Sequence, residues 1–160
     1  MHRSFSYCAK FLLPLMLFAA TPLSSASAAG NLVSVGEYNA DGVQVNLDTY
    51  TDGPQVVALI GMKGSGTSIS FAFDQAEWPK LRNLWNAARA KSGGTYQTAG
   101  SLKEVGSTAQ CVITLAGGPG VRMTIVDPTA GALTYVVQPS DQSDFESKLS
   151  QVGNAATIVN

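Results

Sequence analysis

Histidine is almost absent from this chain, and cysteine nearly so: the one histidine is His2, and the two cysteines are Cys8 and Cys111. His2 and Cys8 lie in an N-terminal stretch with the anatomy of a secretory signal. His2, Arg3 and Lys10 form a basic start, Phe11 to Ala20 a short apolar run, and Ala26-Ser27-Ala28 a small-residue cleavage site. The expectation is removal of residues 1–28, which leaves 29–160 as one exported domain, periplasmic or secreted, without imidazole. That excludes Ser-His-Asp hydrolysis, histidine-based metal sites and His general base chemistry.

Long apolar runs are missing too. A membrane span needs about 20 apolar residues, whereas the run from Phe11 is broken by Pro14 and Pro22 and no second long run follows. Cys8 precedes the apolar run, so the arrangement is not that of a lipidation signal. No stable membrane insertion is expected after cleavage. Charge is scarce as well, at 13% of residues. Beyond residue 28, eight Lys and Arg face eleven Asp and Glu, a net charge of −3. Nucleic-acid affinity rests on clustered cations, and the loose group Lys80, Arg82, Arg89 and Lys91 reads as the wet face of a helix.

What the chain does have is alternation. Val43, Val45 and Leu47 point one way and Gln44, Asn46 and Asp48 the other, the pattern of a sheet with one wet face. Strands are expected over Leu32–Tyr38, Val43–Asp48, Gln55–Met62 and Ser68–Phe73, then a helix over Asp74–Ala90. A second set follows: strands over Leu102–Ser107, Gln110–Leu115, Val121–Asp127 and Ala132–Gln138, then a helix over Asp141–Val152. Asp41-Gly42, Asp52-Gly53-Pro54, Gly64-Ser65-Gly66, Gly117 to Gly120 and Asp127-Pro128 supply the turns, so pairing is mostly antiparallel. Val56 to Ile60 is continuously apolar, which marks a strand covered on both faces.

Trp78, Leu81, Trp85 and Ala88 form the buried stripe of the first helix, and Phe145, Leu149 and Val152 that of the second. Asp74 and Glu77 have capping-box spacing, Asp141 or Ser140 caps the second helix, and Pro79 pushes the first helix to begin later than Asp74. Cys111 alternates with Ile113 and Leu115 toward the core and is expected to be buried and inert.

The fold class expected is α+β: mostly antiparallel curved sheet or sheets with two packed helices, built from a duplicated ββββα unit over residues 32–90 and 94–153. That order, taken twice, is similar to the ββββα repeat of PUR and whirly proteins. The resemblance implies single-stranded nucleic-acid binding; export, net acidity and the lack of a basic aromatic stripe oppose it.

The remaining motifs have plain readings. Gly61 to Thr67 lacks the following helix that a phosphate loop requires and reads as a hairpin. Asp48 to Gly53 has Tyr50 at an intermediate ligand position and Leu59 where a calcium loop needs Glu, so Asp52-Gly53 reads as a turn. Asp41, Asp48, Asp52, Asp74 and Glu77 are close in sequence, but most already serve turns or caps, and no Ser-x-x-Lys starts a helix. No catalytic residue, metal ligand or cofactor is therefore assigned. The function expected is an exported non-catalytic protein-binding module, an inhibitor or immunity-type partner of an envelope protein. The binding residues would be Trp78, Trp85, Arg82 and Arg89, Trp85 foremost. Its partner is a protein or a second copy. Alternatives are a carrier of a small apolar ligand behind the two tryptophans, or a single-stranded nucleic-acid binder by fold analogy.

Overall fold

The alternating segments form eight strands and the two amphipathic segments form helices. The computed structural model describes residues 30–104 and 111–159. The expected signal, Cys8 and the partner question it raises for Cys111, and Val105 to Gln110 lie outside the described residues.

The first sheet contains β1 (Asn31–Ala40), β2 (Val43–Asp52), β3 (Gln55–Gly64) and β4 (Thr67–Phe73), antiparallel and in sequence order. Then comes α1 (Trp78–Arg89). The second sheet repeats the pattern with β5 (Gln97–Lys103), β6 (Val112–Gly117), β7 (Val121–Asp127) and β8 (Gly131–Val137), followed by α2 (Gln142–Ala155). The architecture is α+β with a duplicated-unit layout. Neither sheet closes on itself.

Turn chemistry explains the tight hairpins. Asp41 and Gly42 have φ of 52° and 76°, and Ser65 and Gly66 have 48° and 77°, the left-handed pair of a two-residue hairpin that matches strand twist. The Gly61 to Thr67 segment is therefore the β3–β4 hairpin, with a strand on each side. β2 runs unbroken from Val43 through Asp52, so the acidic Asp48 to Gly53 stretch is strand and turn.

The helices start where their caps and proline direct. Asp74 Oδ1 accepts from the Ala76 and Glu77 amides at 2.8 and 3.1 Å, which organises a turn ahead of α1. The helix itself begins at Trp78 with Pro79 in its first turn, later than the capping-box spacing alone predicts, because proline suits only the start. Asp141 is the residue before α2, but its side chain caps no helical amide. β5 also departs from expectation. The strand expected over Leu102–Ser107, of which Val105 to Ser107 lie outside the described residues, starts earlier: β5 spans Gln97–Lys103, bulges between Thr98 and Gly100, and is aligned by pairing with β6. Its Gly, Ser and Thr content carries little period-two signal of its own.

The helices exchange sheets. α1 follows the first sheet in the chain but packs on β5, β6 and β7 of the second, whereas α2 follows the second sheet and packs on β1, β2 and β3 of the first. Gly117 permits the first of these contacts, since a Cβ there would fall on the Ala88 carbonyl of α1. Both inner faces and both helices meet in one core around Trp85, Phe71, Phe73 and Phe145, with Cys111 wholly buried on it. Trp85 stacks on Phe145 with ring centres 5.1 Å apart, which joins α1 to α2. At about 1.5–3 kcal/mol per fully buried large apolar side chain, this shared core is the main stabilising term.

The C-terminal residues lie over the first sheet. The Thr157 amide donates to the Val56 carbonyl at 2.8 Å and the Val56 amide donates to Thr157 Oγ1 at 2.9 Å, beyond the point where β4 ends. Val159 packs against Val57, Leu59 and Ala72 on the outer face. β3 is thus central and covered on both sides, as its unbroken apolar run requires.

Candidate functional site

The outer face of the first sheet holds the polar halves of the alternating strands, and the register lines them into rows. One row reads Asn39, Gln44, Lys63 and Ser68 across the four strands, the next Glu37, Asn46, Gly61 and Ser70, and the third Ser34, Asp48, Leu59 and Ala72. At about 4.8 Å per strand, four strands give a face some 15 Å wide. Gly61 has no side chain at the middle of this face, and its neighbours form a trough around it.

That trough has a volume of about 240 Å³ and is lined by Gln44, Asn46, Asp48, Gly61, Lys63, Ser68 and Ser70, with Leu32 at its edge. It continues past Gln44 and Lys63 into a wider opening of about 580 Å³ between the two hairpin tips, where Asn39, Asp41 and Ser65 contribute. Some of the polar groups are pre-ordered: Gln44 Nε2 donates to Asn46 Oδ1 at 3.1 Å and Asn39 Nδ2 donates to Glu37 Oε1 at 3.3 Å. A Cβ built on Gly61 would come no nearer than 3.7 Å to Ser70 Oγ, an ordinary contact, so packing does not require glycine there. The arrangement offers amides, hydroxyls and carboxylates to a ligand lying across the strands.

Asp48 closes one end of the trough. It is only 7% exposed, and its Oδ1 has no hydrogen-bond partner. Burial, with Glu37 nearby, pushes its carboxyl above the usual carboxylate range, against a hydrogen bond from Ser34 that lowers it.

The residues expected to bind from sequence lie elsewhere. Trp78 and Trp85 are 6% and 0% exposed, part of the core, and neither lines the trough or the tip opening. Trp78 Nε1 donates to Asn154 Oδ1 at 2.9 Å, while Trp85 Nε1 is buried without a partner. Trp85 thus presents no area to a partner in this fold. Arg82 lies over the Trp78 ring at 5.9 Å and Arg89 pairs with Glu146 of α2, so both guanidiniums are engaged within the molecule. The four residues share α1, with the two tryptophans on its buried side and Arg82 and Arg89, seven residues apart, exposed.

A separate buried acid stands between the sheets. Glu104, 6% exposed, accepts from the Ala72 amide on the edge of β4 through Oε1 at 3.1 Å, while Oε2 has no partner. Burial, first, pushes its carboxyl up to about 7, with Asp127 and Glu77 adding to the rise. Of the acids adjacent in sequence, Asp41 and Asp74 serve turns, as expected, and Asp48 does not. Among the described residues no group of three or more His, Cys, Asp or Glu could hold a metal ion. Among them also, no helix is long and apolar enough to cross a membrane.

The sequence pattern identified the wet side of β2 but not the trough, because alternation assigns faces and cannot say which residue of a neighbouring strand stands beside Asn46. No protein-family model matches the chain, and no curated protein matches it.

Proposed function

We propose that this protein is an exported, non-catalytic protein-binding module whose recognition surface is the trough on the outer face of the first sheet. The observation that carries the reading is the cleft floored by Gly61, where Gln44, Asn46, Lys63, Ser68 and Ser70 set polar groups among the apolar surface of Leu32, Met62 and Ile69. Side-chain amides and hydroxyls in such a row match the donors and acceptors of an extended polypeptide backbone. Residues 29–160, without histidine, fit a partner of shape and hydrogen bonding better than one of general acid–base chemistry.

The chemistry of the cleft weighs against the alternatives. Lys63 is its one cation beside Asp41 and Asp48, and no aromatic ring lines it, whereas single-stranded nucleic acid is held by cations and base stacking. An apolar ligand would desolvate these polar groups without pairing them. The inhibitor or immunity-type role remains the form of protein binding proposed.

The test is site-specific crosslinking in cells of the source organism. A photoreactive residue at Ser70 is expected to give one discrete adduct, lost when Gly61→Val fills the floor. The same probe at Thr124, on the outer face of the second sheet, serves as control. Equal adducts from both positions would refute the reading, and an adduct of twice the chain's mass would identify the partner as a second copy.

A further inference from the structure

We propose that Asp48 and Leu32 form a pocket for a cationic side chain, so that the polypeptide bound in the trough is recognised by a lysine or arginine. The inference rests on the trough being the binding surface and adds what it selects. Three features carry it. Asp48 is 7% exposed and lines the trough, yet its Oδ1 has no partner, and a buried carboxylate oxygen left unpaired is costly unless something completes it.

Leu32 is 49% exposed at the mouth of the same trough, an apolar wall beside a carboxylate. That pairing fits a side chain with an aliphatic stem and a charged head, which is the chemistry of Lys and Arg. Finally, the charge around the cleft is complementary to such a group: Glu37 and Asp41 flank it, and Lys63 stands two rows from Asp48, opposite Gln44. A ligand head without a donor would leave Asp48 Oδ1 unpaired in the complex, a neutral donor would pair it without balancing its charge, and an anionic head would be repelled by it. The buried carboxylate thus gives the trough a direction, with the ligand's cation at the Leu32 end and Lys63 toward the other.

The experiment is selection from a random library of acetylated, amidated hexapeptides on the immobilised chain 29–160 at physiological salt, with retained peptides sequenced by mass spectrometry. The native protein is expected to enrich Lys and Arg at least fivefold over the input at one position. Asp48→Asn should retain a similar amount of peptide with that enrichment gone, while its melting temperature is not lowered. Asp52→Asn, which removes the same charge from an exposed turn, should keep the enrichment and so exclude general attraction of cations to an acidic protein. Retention by the native protein without cation enrichment, or enrichment that survives Asp48→Asn, would overturn the pocket and leave the trough as binding surface. Retention undiminished by Gly61→Val would overturn the trough, and the pocket with it.

Discussion

Glu104 shows what a single buried side chain contributes. Its carboxyl joins the second sheet to the β4 edge through the Ala72 amide, and burial raises it to about 7. A folded-state value above the unfolded one means that the native protein holds the proton more tightly. The associated stability is therefore fully present below about 4.5 and is lost as pH rises through about 7. At about 1.4 kcal/mol per unit, the loss is about 3 kcal/mol. Urea denaturation should find the protein more stable at pH 5 than at pH 8 by roughly that amount, with Asp48 and Glu77 acting in the same direction. Glu104→Gln should flatten the slope. A slope unchanged in the variant would place its origin elsewhere. Trp85 makes the complementary case: Trp85→Ala should cost about 3–5 kcal/mol by leaving a cavity against Phe145. Trp85→Phe should cost less than about 2, because it also removes the unpartnered indole N–H. The same denaturation measurement separates the two.

At the scale of elements, α1 is held by packing rather than by its ion pair. The Arg89–Glu146 contact is about one-third exposed on each side, so Arg89→Ala should cost under about 1 kcal/mol. Gly117→Val, on the strand beneath, should cost more than about 2 kcal/mol, because the new side chain lands on the Ala88 backbone and the helix must lift. If the arginine variant proved the worse of the two in thermal melting, the assignment would be reversed. The C-terminal residues act differently, filling the end of β3 that β4 leaves unpaired and covering the outer cluster at Leu59. None of them lines the trough.

For the whole molecule, the exchange of helices makes the halves interdependent. Each sheet's inner face is covered by the helix that belongs to the other half, so neither half buries its own apolar face. Residues 30–92 and 93–159, produced separately, are expected to be unfolded alone by circular dichroism and to regain native signal when mixed. Independent folding of either half would contradict the shared core. The duplication is therefore structural without being modular. The sheets' outer faces have also diverged: the first is the amide and carboxylate trough. The second presents a Ser101, Thr114, Thr124 and Thr134 row whose hydroxyls pair with one another.

Local sequence determined most of the elements, β5 excepted. Alternation placed Val45 and Leu47 inward and Gln44 and Asn46 outward, Asp41-Gly42 and Ser65-Gly66 specified left-handed hairpin turns, and Pro79 positioned the start of α1. Those features depend on neighbours within a few residues, where backbone sterics and periodicity act directly. Tertiary structure alone decided that Trp85 stacks on Phe145 of α2, that α1 crosses to the second sheet, and that Asp48 stands buried at the end of a trough floored by Gly61. Each of these needs partners from other strands or the opposite half, and a pattern read along one strand carries no record of what will lie beside it.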